Sequence, residues 1–360
     1  MVLATHFGAT RIFPGAVVFA TMGVNLFFVI SGFLITLILL DLKEVRNSQN
    51  TSLFQLLKTF YIRRMLRIFP IYYLIILVSL ILGVYPIYEV IGWLLTYTYN
   101  IKASFGEIDS TLFSHFWSLA VEEQFYLFCP LFVLIIPKKH LLKFFITMIS
   151  LGILSRFLLN NFLPIDSRDG LVGYQFTICC FDALGFGGLL AYLFFYFQSE
   201  LNQFIRKYFW LFGAVFVGFL LVEFVFVPTF GGGATLSRFL FSATCFGIIG
   251  YASLENGFGG IVGRFLENSV VLYLGKISYG IYVYHIFIGR IFTNPERFAV
   301  ESYNFSGTIW SISIENLYLR VFLRLALTIL IAVISWHFFE LPINRLKNKF
   351  PYPKKLNKDS

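Results

Sequence analysis

The sequence predicts an all-α integral membrane protein, a polytopic bundle of about ten transmembrane helices. Three observations predict it. Charged residues are too sparse to coat the chain in water. Apolar segments of bilayer-spanning length recur along it. Lys and Arg gather beside alternate segments and not evenly between them.

Of the 360 residues, 58% are hydrophobic and 13% are charged, against about 25% charged in an average soluble domain. Mean hydropathy is +0.77. The 46 Phe and 20 Tyr make the apolar surface strongly aromatic, and such a surface is solvated by lipid. The net charge of +9 raises nucleic acid as a partner, but the placement of the basic residues argues against it. They flank apolar spans, which reads as a topology signal and as contact with anionic membrane lipids. Cys129, Cys179, Cys180 and Cys245 all lie inside apolar runs. None has metal-ligand spacing, so they read as small buried hydrophobes, and no metal is implied.

The elements follow in order. An incomplete span occupies Met1 to Ala9. It holds about half of the 20 residues that a crossing needs, and no basic segment precedes it as in a signal peptide. The expectation is a start further upstream or a partial first helix. Full spans follow at Gly15 to Leu40, Phe69 to Val84, Trp117 to Ile136, Leu141 to Leu159 and Leu171 to Phe197. Four more lie at Tyr208 to Val227, Leu236 to Leu254, Leu272 to Phe292 and Leu319 to Phe339. Ile87 to Tyr99 is apolar but short, with Glu89 and Gly92 inside, and is expected to be re-entrant or interfacial. Gly231-Gly232-Gly233 falls between spans as a turn. With the segment after Leu40 in the cytoplasm, most of the 28 basic residues fall on the inner side. Arg156, Arg238, Arg320 and Arg324 are among the minority left outside. Making Ile87 to Tyr99 a full crossing would destroy that asymmetry. The layout therefore has both termini in the cytoplasm and suits a multi-pass protein of the inner (plasma) membrane. Residues 1–343 form the transmembrane domain, and 344–360 a short basic cytoplasmic tail.

Ionisable groups inside a span are costly, and each is a candidate for function. Glu122 and Glu123 enter the span that ends at Ile136. As helical neighbours they point about 100° apart, so at least one faces the bundle interior, where it could orient a histidine, bind sugar hydroxyls or fix helix packing. His6 is an imidazole that could serve as a general base or simply be a packed, hydrogen-bonded residue. Tyr61 to Pro70 is the densest basic loop. Arg64 and Arg67, with Arg63 beside them, share a helical face. Guanidinium forks there would suit phosphates, a topology signal or lipid headgroups. Asn25 and Ser31 could hydrogen-bond across helices. His285 stands beside a Tyr ladder, where packing is its ordinary role. Asp182 lies near Gly185, Gly187 and Gly188, which permit close helix approach. His337 and Glu340 mark the inner end of the last span, where interfacial exposure explains them. His115 and His140 lie in loops and receive no role. A GxSxG elbow, a P-loop and an HExxH helix are all absent.

Five segments in this order resemble the acyltransferase 3 family of membrane O-acyltransferases. They are Gly23 to Thr36 (GVNLFFVISGFLIT), Arg63 to Pro70 (RRMLRIFP), Phe116 to Tyr126 (FWSLAVEEQFY), Ile277 to His285 (ISYGIYVYH) and Phe339 to Pro342 (FELP). The resemblance implies about ten helices, an acetyl-CoA or other acyl-CoA donor on the cytoplasmic side and a carbohydrate acceptor, as in members that modify cell-wall or surface polysaccharides. It also implies that His6 is the general base, that Arg64 and Arg67 hold the donor's phosphates, and that Glu122 or Glu123 orients His6 or the sugar. The family's arginine upstream of that histidine would precede Met1. Two other readings stay open. One is a transporter or flippase of an anionic glycan or lipid, against which no internal repeat is visible. The other is a membrane acyltransferase acting on lipid or protein.

Overall fold

A computed structural model describes residues 16–105, 112–162, 171–226, 233–254, 257–293, 303–305, 308–310 and 312–353. His6, with the rest of the expected first span, lies outside them. The helices are α1 (Ala16–Gln49), α2 (Leu53–Ile81), α3 (Ile87–Leu95), α4 (Tyr99–Phe105), α5 (Phe116–Ile135), α6 (Lys138–Phe162) and α7 (Leu171–Gln175). A 3₁₀ turn, Thr177–Cys180, leads into α8 (Phe181–Tyr196). There follow α9 (Gln198–Leu221), α10 (Gly233–Ala252), α11 (Gly260–Leu266), α12 (Ser269–Gly289), α13 (Leu317–Ser335) and α14 (Leu341–Arg345). Four strands of two or three residues, between Phe292 and Ser313, pair in twos. Among the described residues, eight helical segments are long and apolar enough to cross a membrane. The 20-residue α10 packs beside them, chiefly on α9, α8 and α1. Each of these nine elements overlaps one of the nine full spans read from the sequence, but α2 begins at Leu53, well before the expected Phe69.

Burial separates a centre from a periphery. In α1, α5 and the 177–196 segment, 61% of the most apolar stretch is buried within the protein, against 17% in the α9 segment and 22% in the α13 segment. The outer helices expose large apolar side chains, such as Ile81, Phe162, Trp210 and Phe322, to what in a membrane is lipid. Two glycines let α1 and α8 touch along their backbones. A Cβ on Gly187 would lie 2.1 Å from the Val29 carbonyl oxygen, and one on Gly32 would lie 2.2 Å from that of Leu184.

Charge fixes the ends of these helices. The C-terminal carbonyls of a helix lack partners and carry partial negative charge. At the end of α5, Lys43 Nζ donates to the carbonyls of Val133, Leu134 and Ile136 at 2.9, 3.2 and 2.6 Å. Arg46 donates to Leu134 at 2.9 Å. These cations sit on α1 itself, which continues beyond Leu40 to Gln49. Arg156, on α6, is 2% exposed and pairs with Asp182 at 2.7 Å. It also donates to the carbonyls of Gly173, Thr235 and Cys179, so its charge is satisfied on every side, as a buried ion must be.

Three features differ from expectation. The basic segment from Tyr61 to Pro70 is not a loop: α2 is continuous from Leu53 to Ile81, with Pro70 inside it. A 3₁₀ turn, Leu346–Lys349, extends the last helix, and the segment is held by Arg63, which donates to the carbonyls of Lys347 and Phe350 at 2.9 Å each and lies 4.5 Å above the Tyr352 ring. Arg156, Arg238, Arg320 and Arg324, counted as outer charges, are all buried. Between α2 and α5, the Ile87 to Tyr99 stretch forms α3 and the start of α4, of nine and seven residues, too short to cross.

The backbone contact makes Gly187 the sharper test of packing. Gly187→Leu is expected to abolish the folded species in detergent, read by size-exclusion fluorescence and melting. Gly92→Ala meets nothing within 4 Å and is expected to melt no lower than wild type, since Ala is favoured over Gly in a helix by about 1 kcal/mol.

Candidate active site

The centre of the bundle is built on Glu122. Its side chain is buried, and the Ser31 hydroxyl of α1 donates to Oε1. The Tyr126 hydroxyl donates in turn to Ser31 Oγ at 3.1 Å. The Arg64 guanidinium stands over the Tyr126 ring, 5.0 Å from its centre, within cation–π range. One chain of contacts thus runs from Arg64 through Tyr126 and Ser31 to Glu122. Arg67, one turn further along α2, keeps an exposed surface and interacts electrostatically with Glu122, Tyr126 and Tyr279.

A second chain of the same composition ends within electrostatic range of Arg67. Tyr284 OH lies 2.9 Å from Ser335 Oγ, and the Ser335 hydroxyl donates to Glu340 Oε1 at 3.3 Å. Glu340 is 4% exposed and interacts with Arg67. It is therefore not an interfacial residue but part of the site, brought there because Gly280 lets the carboxylate approach to 3.1 Å of where a Cβ would stand.

Glu123 turns away from Glu122, as adjacent helical positions must. Its charge is felt by Tyr72, Tyr73, Tyr97 and Tyr279. Burial pushes the Tyr97 phenol upward from its usual range, with Tyr279 and Glu123 reinforcing the shift. Beside it, Gln124 donates to the Tyr97 carbonyl at 2.7 Å and to Asn100 Oδ1 at 2.9 Å. It also accepts from the Thr177 hydroxyl.

His285 is fully buried, with Nδ1 2.5 Å from the Tyr282 carbonyl oxygen. A carbonyl only accepts, so Nδ1 carries the proton. His115, given no role from sequence, is buried against it, ring centres 4.9 Å apart, with Nε2 3.2 Å from the Val283 carbonyl oxygen. Nothing local marks His115, because its partners lie on α12, some 170 residues away. Asn25 lies six residues before Ser31 on the same helix, buried, in a separate cavity. Of the three arginines, Arg64 and Arg67 face the site, while Arg63 is engaged with residues 347–352. Among the described residues no group of three or more His, Cys, Asp or Glu could hold a metal ion.

Register gives these groups their heights. Ser31 meets Glu122, and Lys43 meets Leu134. Twelve residues separate each pair, so α1 and α5 run parallel for about 18 Å. Arg64 meets α5 one turn from Glu122 toward the Lys43 end, and Asn25 lies about 9 Å from Ser31 in the opposite direction.

Comparison with known proteins agrees with this architecture. Residues 1–340 match the acyltransferase domain of the acyltransferase 3 family. The chain belongs to that family. It is similar to two curated bacterial proteins. The peptidoglycan O-acetyltransferase OatA of Listeria monocytogenes is 29% identical over 90% of this chain and 51% of the relative. The O-acetyltransferase OatA of Staphylococcus aureus is 28% identical over 90% of this chain and 52% of the relative. The chain thus spans about half the length of the curated relatives it matches. No solved structure matches it.

The Tyr126–Ser31–Glu122 chain predicts a measurable coupling in the protein. Ser31→Ala removes the donor to a buried carboxylate and is expected to cost about 1–3 kcal/mol. Tyr126→Phe should cost less, and the double variant less than the sum, because both single changes break the one Tyr126–Ser31 hydrogen bond. Denaturant unfolding of the four proteins in one detergent checks this; strict additivity contradicts the chain.

Proposed function

We propose that the protein is a membrane O-acetyltransferase, which takes an acetyl group from acetyl-CoA at the cytoplasmic end of the bundle and passes it to a carbohydrate hydroxyl at the outer end. The observation that carries this reading is the contact chain from Arg64 through Tyr126 and Ser31 to the buried Glu122, with Arg67 interacting with that carboxylate. The relatives named as O-acetyltransferases support the acetyl group, and the Listeria relative's name supports peptidoglycan as the acceptor polymer.

The chemistry divides among these residues. Arg64 and Arg67 are partly exposed and exposed, and Lys347 lies within interaction range of Arg63, Arg64 and Arg67. Such a cationic mouth suits the donor's phosphates, with each guanidinium presenting a fork. In the transfer the acceptor oxygen attacks the thioester carbonyl, the new C–O bond forms and the C–S bond breaks. The hydroxyl proton passes to His6 as general base, and the sulfur leaves as thiolate. Glu122, held by Ser31, orients His6 or the acceptor. Glu123 and the tyrosines around it wall the passage. The buried charges of Arg156, Arg238, Arg320 and Arg324 strengthen the orientation, since they leave fewer outer cations to set against the cytoplasmic ones.

The test is acetyl-CoA-dependent acetylation of cell-wall polysaccharide by membranes carrying the chain. His6→Ala is expected to lower transfer by about 10²–10⁴-fold at equal membrane levels, the usual contribution of a general base. Arg67→Lys keeps the charge but loses the fork, and is expected to raise the KM for acetyl-CoA more than it lowers kcat. An unchanged rate in His6→Ala would remove His6 from the mechanism.

A further inference from the structure

The protein contains a cavity apart from the Glu122 centre. It holds about 110 Å³ and is lined by Met22, Asn25, Tyr174, Phe219, Glu223 and Arg238, among others. A water molecule's share of the liquid is about 30 Å³, so the space suits a small organic substituent. It opens between α1, α10 and the ends of α6 and α9, at the end of the bundle remote from Lys43 and Lys138.

Its walls carry polar groups that the protein leaves without partners. Arg238 is 4% exposed. Its Nη1 donates to the Tyr174 carbonyl at 2.8 Å, and its guanidinium lies 5.1 Å over the Tyr174 ring. These contacts fix the plane of the group. The remaining edge, Nε and Nη2, has no oxygen or nitrogen acceptor; it is met by the weakly accepting Cys180 thiol, and Asp182 attracts the group electrostatically. Asn25 is also 4% exposed, and its Oδ1 has no partner. Glu223 accepts from the Ser237 hydroxyl with one carboxylate oxygen. Arg156, which also lines the cavity, is spent on Asp182 and three carbonyls. Leaving a buried donor edge and a buried amide oxygen unpaired costs stability, and a ligand in the cavity would recover that cost.

The pattern selects the ligand's chemistry. An anion would meet Glu223 as well as Arg238, and a cation the reverse. A neutral group is required that accepts from the Arg238 edge and donates to Asn25 Oδ1 and Glu223. It must also place an apolar tip against Met22 and Phe219. We propose that this cavity is the acceptor subsite, and that it reads an N-acetylated amino sugar through its acetamido group. The carbonyl oxygen accepts from Arg238 Nε and Nη2. The amide N–H donates to Asn25 Oδ1, the methyl lies on Met22 and Phe219, and the neighbouring ring hydroxyl donates to Glu223. This assignment rests on the transferase reading for the word acceptor, but the binding chemistry stands apart from it.

The experiment measures binding of three disaccharides to the full chain in detergent by equilibrium dialysis. They are N,N′-diacetylchitobiose, its de-N-acetylated form chitobiose, and cellobiose. Wild type is expected to bind the diacetylated form at least about tenfold tighter than the other two, the usual consequence of leaving a buried charged donor unpaired. Asn25→Leu and Arg238→Gln are each expected to lose that preference. Asn25→Leu should do so while melting at or above the wild-type temperature, because it removes an unpaired buried acceptor; a purely structural Asn25 would melt lower. If Arg238→Gln fails to fold, Asn25→Leu carries the test alone. Equal binding of all three sugars, no binding of any, or undiminished preference in Asn25→Leu would overturn the subsite. Acetyl transfer is measured in parallel. Transfer without selective binding sinks the subsite alone, whereas selective binding without transfer sinks the transferase reading and leaves the subsite standing.

Discussion

The hydrogen bond from Ser31 to Glu122 is the contact on which the rest of the architecture turns. A carboxylate within a span has no water to satisfy it, so its partners must come from neighbouring helices. Here Ser31 comes from α1, Tyr126 stands one turn along α5 itself, and Arg64 and Arg67 of α2 supply the compensating charge. That requirement pins α1, α2 and α5 against one another at a single height. The glycine contacts between α1 and α8 then bring the Asp182 ion pair and the outer cavity into line with it. Removal of Ser31 would take a direct donor from a buried carboxylate, which is why a hydroxyl so small has so large a structural role.

The same rule explains the distribution of charge elsewhere. Lys43 and Arg46 close the C-terminal carbonyls of α5, Arg156 closes Asp182 and three carbonyls, and Arg324 donates to the Phe292 carbonyl at 2.8 Å. Each buried cation has a stated electrostatic partner. Arg238 stands apart, because one edge of its guanidinium is committed to Tyr174 and the other is not. An arginine that lines a cavity with one edge short of partners can still donate to a ligand.

Much of this was legible in the sequence, and the reason is the bilayer. A crossing demands about 20 apolar residues, so all nine full spans stand out, and the deficit of Ile87 to Tyr99 is equally plain. Glu122, Ser31, Arg64 and Arg67 were readable as costly or pairable groups inside or beside spans. What stayed hidden depends on contacts between distant segments. The sequence does not show that α1 runs on to Gln49, because Lys43 is tolerated there only by the carbonyls of α5. It does not reveal that the Arg63 to Arg67 segment is helical through Pro70, or that residues 347–352 are tied to Arg63. Glu340 looked interfacial because its partner Arg67 is far away in the chain, and His115 looked idle for the same reason. Counting arginines by segment also cannot separate Arg156 and Arg238, which are buried, from cations in water.

The central claim is that the arginine mouth and the outer cavity open on opposite faces of one membrane, with Glu122 between them. Cysteine labelling tests it most directly, since all four native cysteines are buried. Ser52→Cys, at the start of α2, and Tyr88→Cys, 68% exposed on α3, would be probed in intact cells with a membrane-impermeant maleimide. The account predicts that position 88 labels at once and position 52 only after permeabilisation. Labelling of both from outside, or the reverse order, would contradict it.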